Sequence, residues 1–204
     1  MKKIFLTTVL PGIIIAGAVL AVGTNCGNGD PYIPPIPCNT SNTIFKQLYN
    51  AATISMAGST DVTFMDLLTH EYTFTPTNNA VICKVGYQGN AVLFANSIPY
   101  TIEIVQVGGA VLYSGNHIFQ STITDYKSVG PVSLTGGQSY IIRRTVTNNL
   151  GNSANATGRM LRFNVPANGF PITFGGLTIT ASNFYGTGGP VPNHGLPYID
   201  IAFQ

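Results

Sequence analysis

Polar and apolar residues alternate through much of the chain beyond residue 70, and a period of two predicts strands. Tyr72-Thr-Phe-Thr75 alternates, residues 81–87 do so too, and Tyr100-Thr-Ile-Glu-Ile104 turns its even positions to a core while Thr101 and Glu103 face water. Gly108-Gly109 parts residues 102–107 from 110–113, a tight hairpin signal. Further strands are expected at residues 128–134, 140–147, 159–165, 172–174, 177–181 and 198–203, with Gly, Pro or Asn at nearly every break. Residues 43–58 differ: Ile44, Phe45, Leu48, Tyr49 and Ala52 recur at helical spacing, with Asn42 or Thr43 as cap and Gly58 as stop. Many short strands with no long helical run between them predict an all-β antiparallel sandwich or barrel rather than a parallel α/β sheet.

The N-terminus has another pattern. Met1-Lys2-Lys3 precedes a stretch from Ile4 to Gly23 without a charge, which reads as an export signal over residues 1–25. About 20 apolar residues would also cross a bilayer, although Pro11-Gly12 weakens a permanent spanning helix. Ala21-Val22-Gly23 supplies small residues for cleavage that would release a protein starting near Thr24. Residues 26–42 are rich in Pro, Gly, Asn, Ser and Thr; Pro fixes φ and removes donors, so they read as a flexible tether. Residues 43–204 then form one domain, long enough for a sizeable core.

Cys26 stands just past the apolar run and is followed by Gly27-Asn-Gly-Asp-Pro31. In this the N-terminus resembles bacterial lipoproteins, and the resemblance implies a lipid on Cys26 that holds the chain to a membrane. Gly23 and Asn25 stand where that family carries a Leu-like and a small residue. There are three cysteines, and an odd number in an exported chain leaves one to explain. With Cys26 lipidated, Cys38 and Cys83 remain for a disulfide in an oxidising compartment; the other reading of Cys83, close to Ile82 and Val85, is a buried free thiol.

Charge narrows the partners. Nine basic residues face seven acidic ones, and losing Lys2 and Lys3 with the signal balances them. Such balance argues against nucleic acid and against a polybasic contact with anionic lipid. Few charges, no Trp and much Gly, Thr, Asn, Val, Ile and Tyr agree with β-structure rich in turns.

One stretch is more specific. Leu134-Thr-Gly-Gly-Gln-Ser-Tyr140 followed by Ile-Ile-Arg-Arg-Thr-Val146 resembles the corner of Greek-key sandwiches such as fibronectin type III and immunoglobulin domains, in which a Tyr hydroxyl bonds back to the backbone it has just left. Nearly sixty residues follow that strand, more than those families need, and a jelly roll accommodates them better. With Glu71-Tyr-Thr-Phe74, Lys84-Val-Gly-Tyr87 and Leu196-Pro-Tyr-Ile-Asp-Ile201, residues 60–204 resemble β-sandwich domains of bacterial surface lipoproteins. The resemblance implies a fold and an address, and no activity.

Catalytic signatures are missing. His70-Glu71 begins like a zinc-protease motif, but Phe74 holds the place of the second histidine, so no metal is expected. No Gly-x-Ser-x-Gly elbow and no phosphate-cradling loop with Lys occurs, and no cofactor is expected. Asp61 and Asp66 flank residues 62–65 as loop acids, and Glu103 is the solvent side of a strand. Arg143 and Arg144 must face opposite sides of a regular strand, with one partnered to an acid at a sandwich edge.

Binding residues are expected in the loops. Residues 182–195 place Phe184, Tyr185, Asn193 and His194 among glycines, where an aromatic face beside amide and imidazole would stack on a sugar and bond its hydroxyls. His117, Asp125, Tyr126 and Lys127 form a second group. The expected function is noncatalytic recognition at the cell surface or in secretion, with a glycan or other surface polymer as ligand. The alternatives are a structural protein that assembles with other protein subunits, and a secreted hydrolase with two convergent acids acting on polysaccharide.

Overall fold

A computed structural model describes residues 37–165, 169–186 and 188–204. The export signal, Cys26 and most of the expected tether lie outside the described residues.

Helix α1, Ile44–Ser55, forms where the helical spacing predicts it. Thr43 caps it by accepting the Lys46 N–H at 3.1 Å, and Gly58 at φ 77° lies in the turn beyond its end. Its apolar stripe of Phe45, Leu48, Tyr49 and Ala52 is wholly inside. Phe45 stacks on Tyr72 at 5.2 Å, and Tyr198 meets the Tyr49 ring edge-on at 4.8 Å. Burial of a side chain such as Phe45 or Leu48 contributes about 1.5–3 kcal/mol.

Eight strands then pair as a nested series. β4 (Tyr100–Gln106) turns through Gly108 into β5 (Val111–His117); β3 (Ala80–Tyr87) pairs with β6 (Asp125–Leu134); β2 (Thr69–Pro76) pairs with β7 (Tyr140–Val146); and β1 (Thr60–Phe64) pairs with β8 (Gly158–Arg162), all antiparallel. This is one long ribbon folded over on itself, the plan of a jelly roll. The surplus chain after β8 doubles the ribbon. β9 (Ile172–Phe174) and β10 (Leu177–Tyr185) form a hairpin that lies along β2, β11 (Val191–Pro192) pairs with β10, β12 (Gly195–Pro197) lies along β8, and β13 (Asp200–Phe203) lies along β3. One layer has the order β11-β10-β2-β7-β4-β5, with β9 also on β10; the other consists of two three-stranded sheets, β1-β8-β12 and β13-β3-β6. Alternating side chains such as Tyr72, Phe74, Ile102, Ile104, Ile142, Ile82 and Val85 fill the space between.

The corner forms as its resemblance implies: the Thr135 N–H donates to Tyr140 Oη at 2.8 Å. Its glycines are required, since Gly137 has φ 77° and a Cβ on Gly136 would come within 2.7 Å of the Thr77 carbonyl oxygen. Asn90 N–H donates to Tyr100 Oη in the same manner at 2.7 Å. Three expectations are corrected. Asp61 belongs to a strand, β1, and not to a loop. A short helix α2, Ala91–Ala95, capped by Asn90, stands where none was expected. β10 runs on to Tyr185, four residues past its expected end at 181.

Cys38 and Cys83 form a disulfide with Cα atoms 6.1 Å apart, tying the chain ahead of α1 to the middle of β3. The bond closes a loop with a sequence separation of 45 residues, for which loss of chain entropy in the unfolded state is worth about 4 kcal/mol. Replacing both cysteines with serine is expected to lower unfolding stability by about 2–4 kcal/mol in urea titrations, with far-UV circular dichroism unchanged.

Candidate functional site

Residues 182–185, the aromatic part of the expected loop, belong to β10. Register along β10 slips between Ile179, opposite Phe74, and Ala181, opposite Thr73, so Thr180 is an extra residue. Leu177 and Ile179 point inward before the bulge, and Ser182 and Phe184 point inward after it. Phe184 is therefore fully buried, edge-on to His70 at 4.9 Å, and offers no face to a ligand. Asn193 sits at φ 55° and accepts the Ser182 N–H on Oδ1 at 3.0 Å. His194 stacks on Phe64 at 6.0 Å. Tyr185 alone of the four turns to the outer face of the large sheet.

The second group is bound up in the fold. Asp125 pairs with Lys127 at 2.8 Å and accepts the Gln120 N–H at 3.2 Å. Tyr126 Oη donates to Asp200 Oδ2 at 2.5 Å. His117 Nε2 meets Tyr113 Oη at 2.7 Å, and burial followed by the charge of Lys127 lowers its pKa.

On the outer face, register across five strands lines up polar side chains in two rows. One row is Asn116, Thr101, Thr145, Thr69 and Tyr185; the next is Ser114, Glu103, Arg143, Glu71 and Asn183. Neighbours in a row are about 4.8 Å apart, set by strand spacing, and the rows about 7 Å apart. Hydrogen bonds hold both. Thr101 Oγ1 donates to Asn116 Oδ1 at 2.8 Å, and the Thr69 and Thr145 hydroxyls are 3.0 Å apart. Glu71 accepts from Arg143 Nε at 2.7 Å, Tyr185 Oη at 2.8 Å and Asn183 Nδ2 at 3.3 Å, while Arg143 Nη1 donates to Glu103 at 3.3 Å.

A shallow cavity of about 410 Å³ opens over Thr69, Glu103, Arg143, Thr145 and Tyr185. The Glu71 side chain is only 4 % exposed against 32 % for Arg143, so it anchors the groups that face outward. Burial opposes the charge of Arg143, but its bonds to Glu71 and Glu103 outweigh burial and raise its pKa. Burial and then the bond to Glu71 raise that of Tyr185, which stays a neutral phenol. Among the described residues nothing bonds to Arg143 Nη2 or Glu103 Oε1. The dish thus presents fixed donors and acceptors of both signs beside one phenol ring.

The expected split of Arg143 and Arg144 holds: Arg143 meets two acids outside, and Arg144 is enclosed in the core. His70 and Glu71 likewise lie on opposite faces. Among the described residues no group of His, Cys, Asp and Glu is placed to hold a metal ion, and no helix is long and apolar enough to cross a membrane. No family model matches the chain, and no curated protein matches it.

Asp200, fully buried, ties three elements: Thr43 Oγ1, the cap of α1, donates to it at 2.6 Å, and Tyr126 donates from β6. Burial outweighs these bonds and raises its pKa from 3.8 to about 6. The fold therefore favours the protonated acid; that stabilisation is complete below pH 3.8 and is lost as pH rises through 6. A rise of that size corresponds to about 3 kcal/mol. Chemical denaturation between pH 4 and 7 should show wild type weakening by about this amount relative to Asp200→Asn.

Proposed function

We propose that this chain is a noncatalytic recognition module that binds a glycan or similar surface polymer on the outer face of its large sheet. The observation that carries the reading is the pair of polar rows, in which hydroxyls, amides, carboxylates, a guanidinium and a phenol repeat at strand spacing across five strands. A linear polysaccharide laid across the strands meets one bonding group per strand, and Tyr185 closes the row with a ring for stacking. Both outer carboxylates are bound to one guanidinium. That fixes Glu103 as an acceptor and holds Glu71 beneath the face as an anchor, which supports binding over hydrolysis by an acid and base facing each other across a cleft.

The proposed address is the bacterial cell envelope, through a lipid on Cys26, or secretion. The Cys38–Cys83 bond supports an oxidising compartment. Mass spectrometry of the exported protein is expected to find a diacylglyceryl group on Cys26, whereas an unmodified start at Thr24 would replace the anchor with plain secretion.

A second reading, a structural subunit, draws on β5. Among the described residues this edge strand bonds β4 alone, and Val107, Val111 and Leu112 at the hairpin are exposed. Sedimentation velocity decides it: concentration-dependent assembly abolished by Val111→Lys supports a subunit, and a monomer at all concentrations opposes it.

For the glycan reading, the full-length protein is screened on an array of neutral and acidic polysaccharides. The paired change Tyr185→Ala and Thr145→Val, both on the open face, is expected to weaken the best binder at least about tenfold. Binding unchanged by that pair removes the outer face from the account.

A further inference from the structure

Arg144 is the largest side chain wholly enclosed in the core, and no carboxylate reaches it among the described residues. Its partners are neutral: Nη1 donates to the Leu68 carbonyl at 3.2 Å, Nη2 donates to the Ala156 carbonyl at 3.0 Å, and His70 Nδ1 lies 2.8 Å from Nη2. Rings of Tyr87 and Tyr100 stand 5.2 and 5.6 Å from the guanidinium carbon. Burial, then the charge of Arg144, push the His70 pKa well below its ordinary value, so the imidazole is neutral. It accepts from Arg144 on Nδ1 and donates from Nε2 to the Met65 carbonyl at 2.9 Å. The core thus contains a whole positive charge, and buried charges are ordinarily paired. Among the described residues two buried polar atoms here have no partner, Arg144 Nε and Tyr87 Oη.

The layer above this charge is the divided one. Between the ends of β8 and β3 lies a polar cavity of about 200 Å³, lined among others by Thr63, Gln88, Asn90, Ser121, Thr157 and Gly158, with no acid in its wall. Arg159, also in its wall, is already paired with Asp61 at 2.6 Å. Gly158 is what separates cavity from charge. A Cβ on it would stand 2.5 Å from Tyr87 Oη, 2.8 Å from Arg144 Nη2 and 3.2 Å from His70 Nδ1, so these groups crowd directly beneath its backbone.

We propose that this cavity is a binding site for a small carboxylate, either free or carried by an acidic sugar, whose negative charge answers that of Arg144 while the hydroxyls of Thr63 and Ser121 and the amide of Asn90 donate to its oxygens. The site is separate from the polar rows of the outer face, and it stands or falls without them. Titration calorimetry of the full-length protein at constant ionic strength uses three probes: sodium acetate, sodium glucuronate and glucose. Both carboxylates, or glucuronate alone, are expected to bind while glucose does not; the first result assigns a free carboxylate and the second an acidic sugar. The paired change Thr63→Val and Ser121→Ala, in the wall, should weaken that binding about tenfold with the melting transition kept, and Arg144→Met should abolish it. Tyr185→Ala should leave it intact, which separates this site from the outer face. Equal heats from glucose and glucuronate, or carboxylate binding undiminished by the wall variant, would overturn the proposal.

Discussion

Register between β2 and β7 is the constraint on which the rest of the molecule depends. Six residue pairs, from Thr69 opposite Thr145 to Phe74 opposite Tyr140, fix which side chains of the large sheet meet the core and which meet solvent. A slip of β2 by one residue would exchange the two faces of that strand. Tyr72 and Phe74 would leave the core, and Glu71 would enter it without Arg143. The cost of such an exchange is the apolar burial of the strand's inner face together with the desolvation of an unpaired carboxylate, so a single register is strongly preferred.

Polar groups inside the sandwich are placed where elements meet. Asp200 joins the cap of α1 to β6 and β13, and Arg144 joins β7 to the carbonyls before β2 and β8. Neither site gains much from burial, since each confines a titratable or charged group in a medium of low dielectric. Their value is in specifying position: an α1 rotated or shifted along its axis loses Thr43 from Asp200, and a β8 displaced from its partner loses the Ala156 carbonyl from Arg144. Apolar contacts alone tolerate such shifts far better.

Much of this architecture was legible in the alternation of residues. Period two marked β2, β3, β4 and β7, and it put Arg143 and Arg144 on opposite sides without any knowledge of their partners. The stretch from Leu134 to Tyr140 carried its own corner, because its bond spans only five residues. What could not be read is long-range. Glu71 and Arg143 are 72 residues apart and Glu103 and Arg143 are 40 apart, so their convergence depends on register rather than on local pattern. β1 hid for the same reason: its partner β8 lies about a hundred residues on, as with Asp61 and Arg159 at a separation of 98. The loop expected around Phe184 failed on one residue. Thr180 bulges out and reverses the phase of the strand from Ala181 onward, and nothing in the neighbouring residues announces it.

The disulfide decides how the domain carries mechanical load. A pull applied ahead of Cys38 enters the sandwich through Cys83 and bypasses α1, β1 and β2, because the covalent bond short-circuits the 45 positions between. The force then reaches β3, which is flanked on both sides by β13 and β6. To yield, β3 must tear from two neighbours at once, whereas a helix at the chain's entry would simply unwind turn by turn. An oxidised molecule therefore meets a pull from ahead of Cys38 at β3, and a reduced one meets it first at α1.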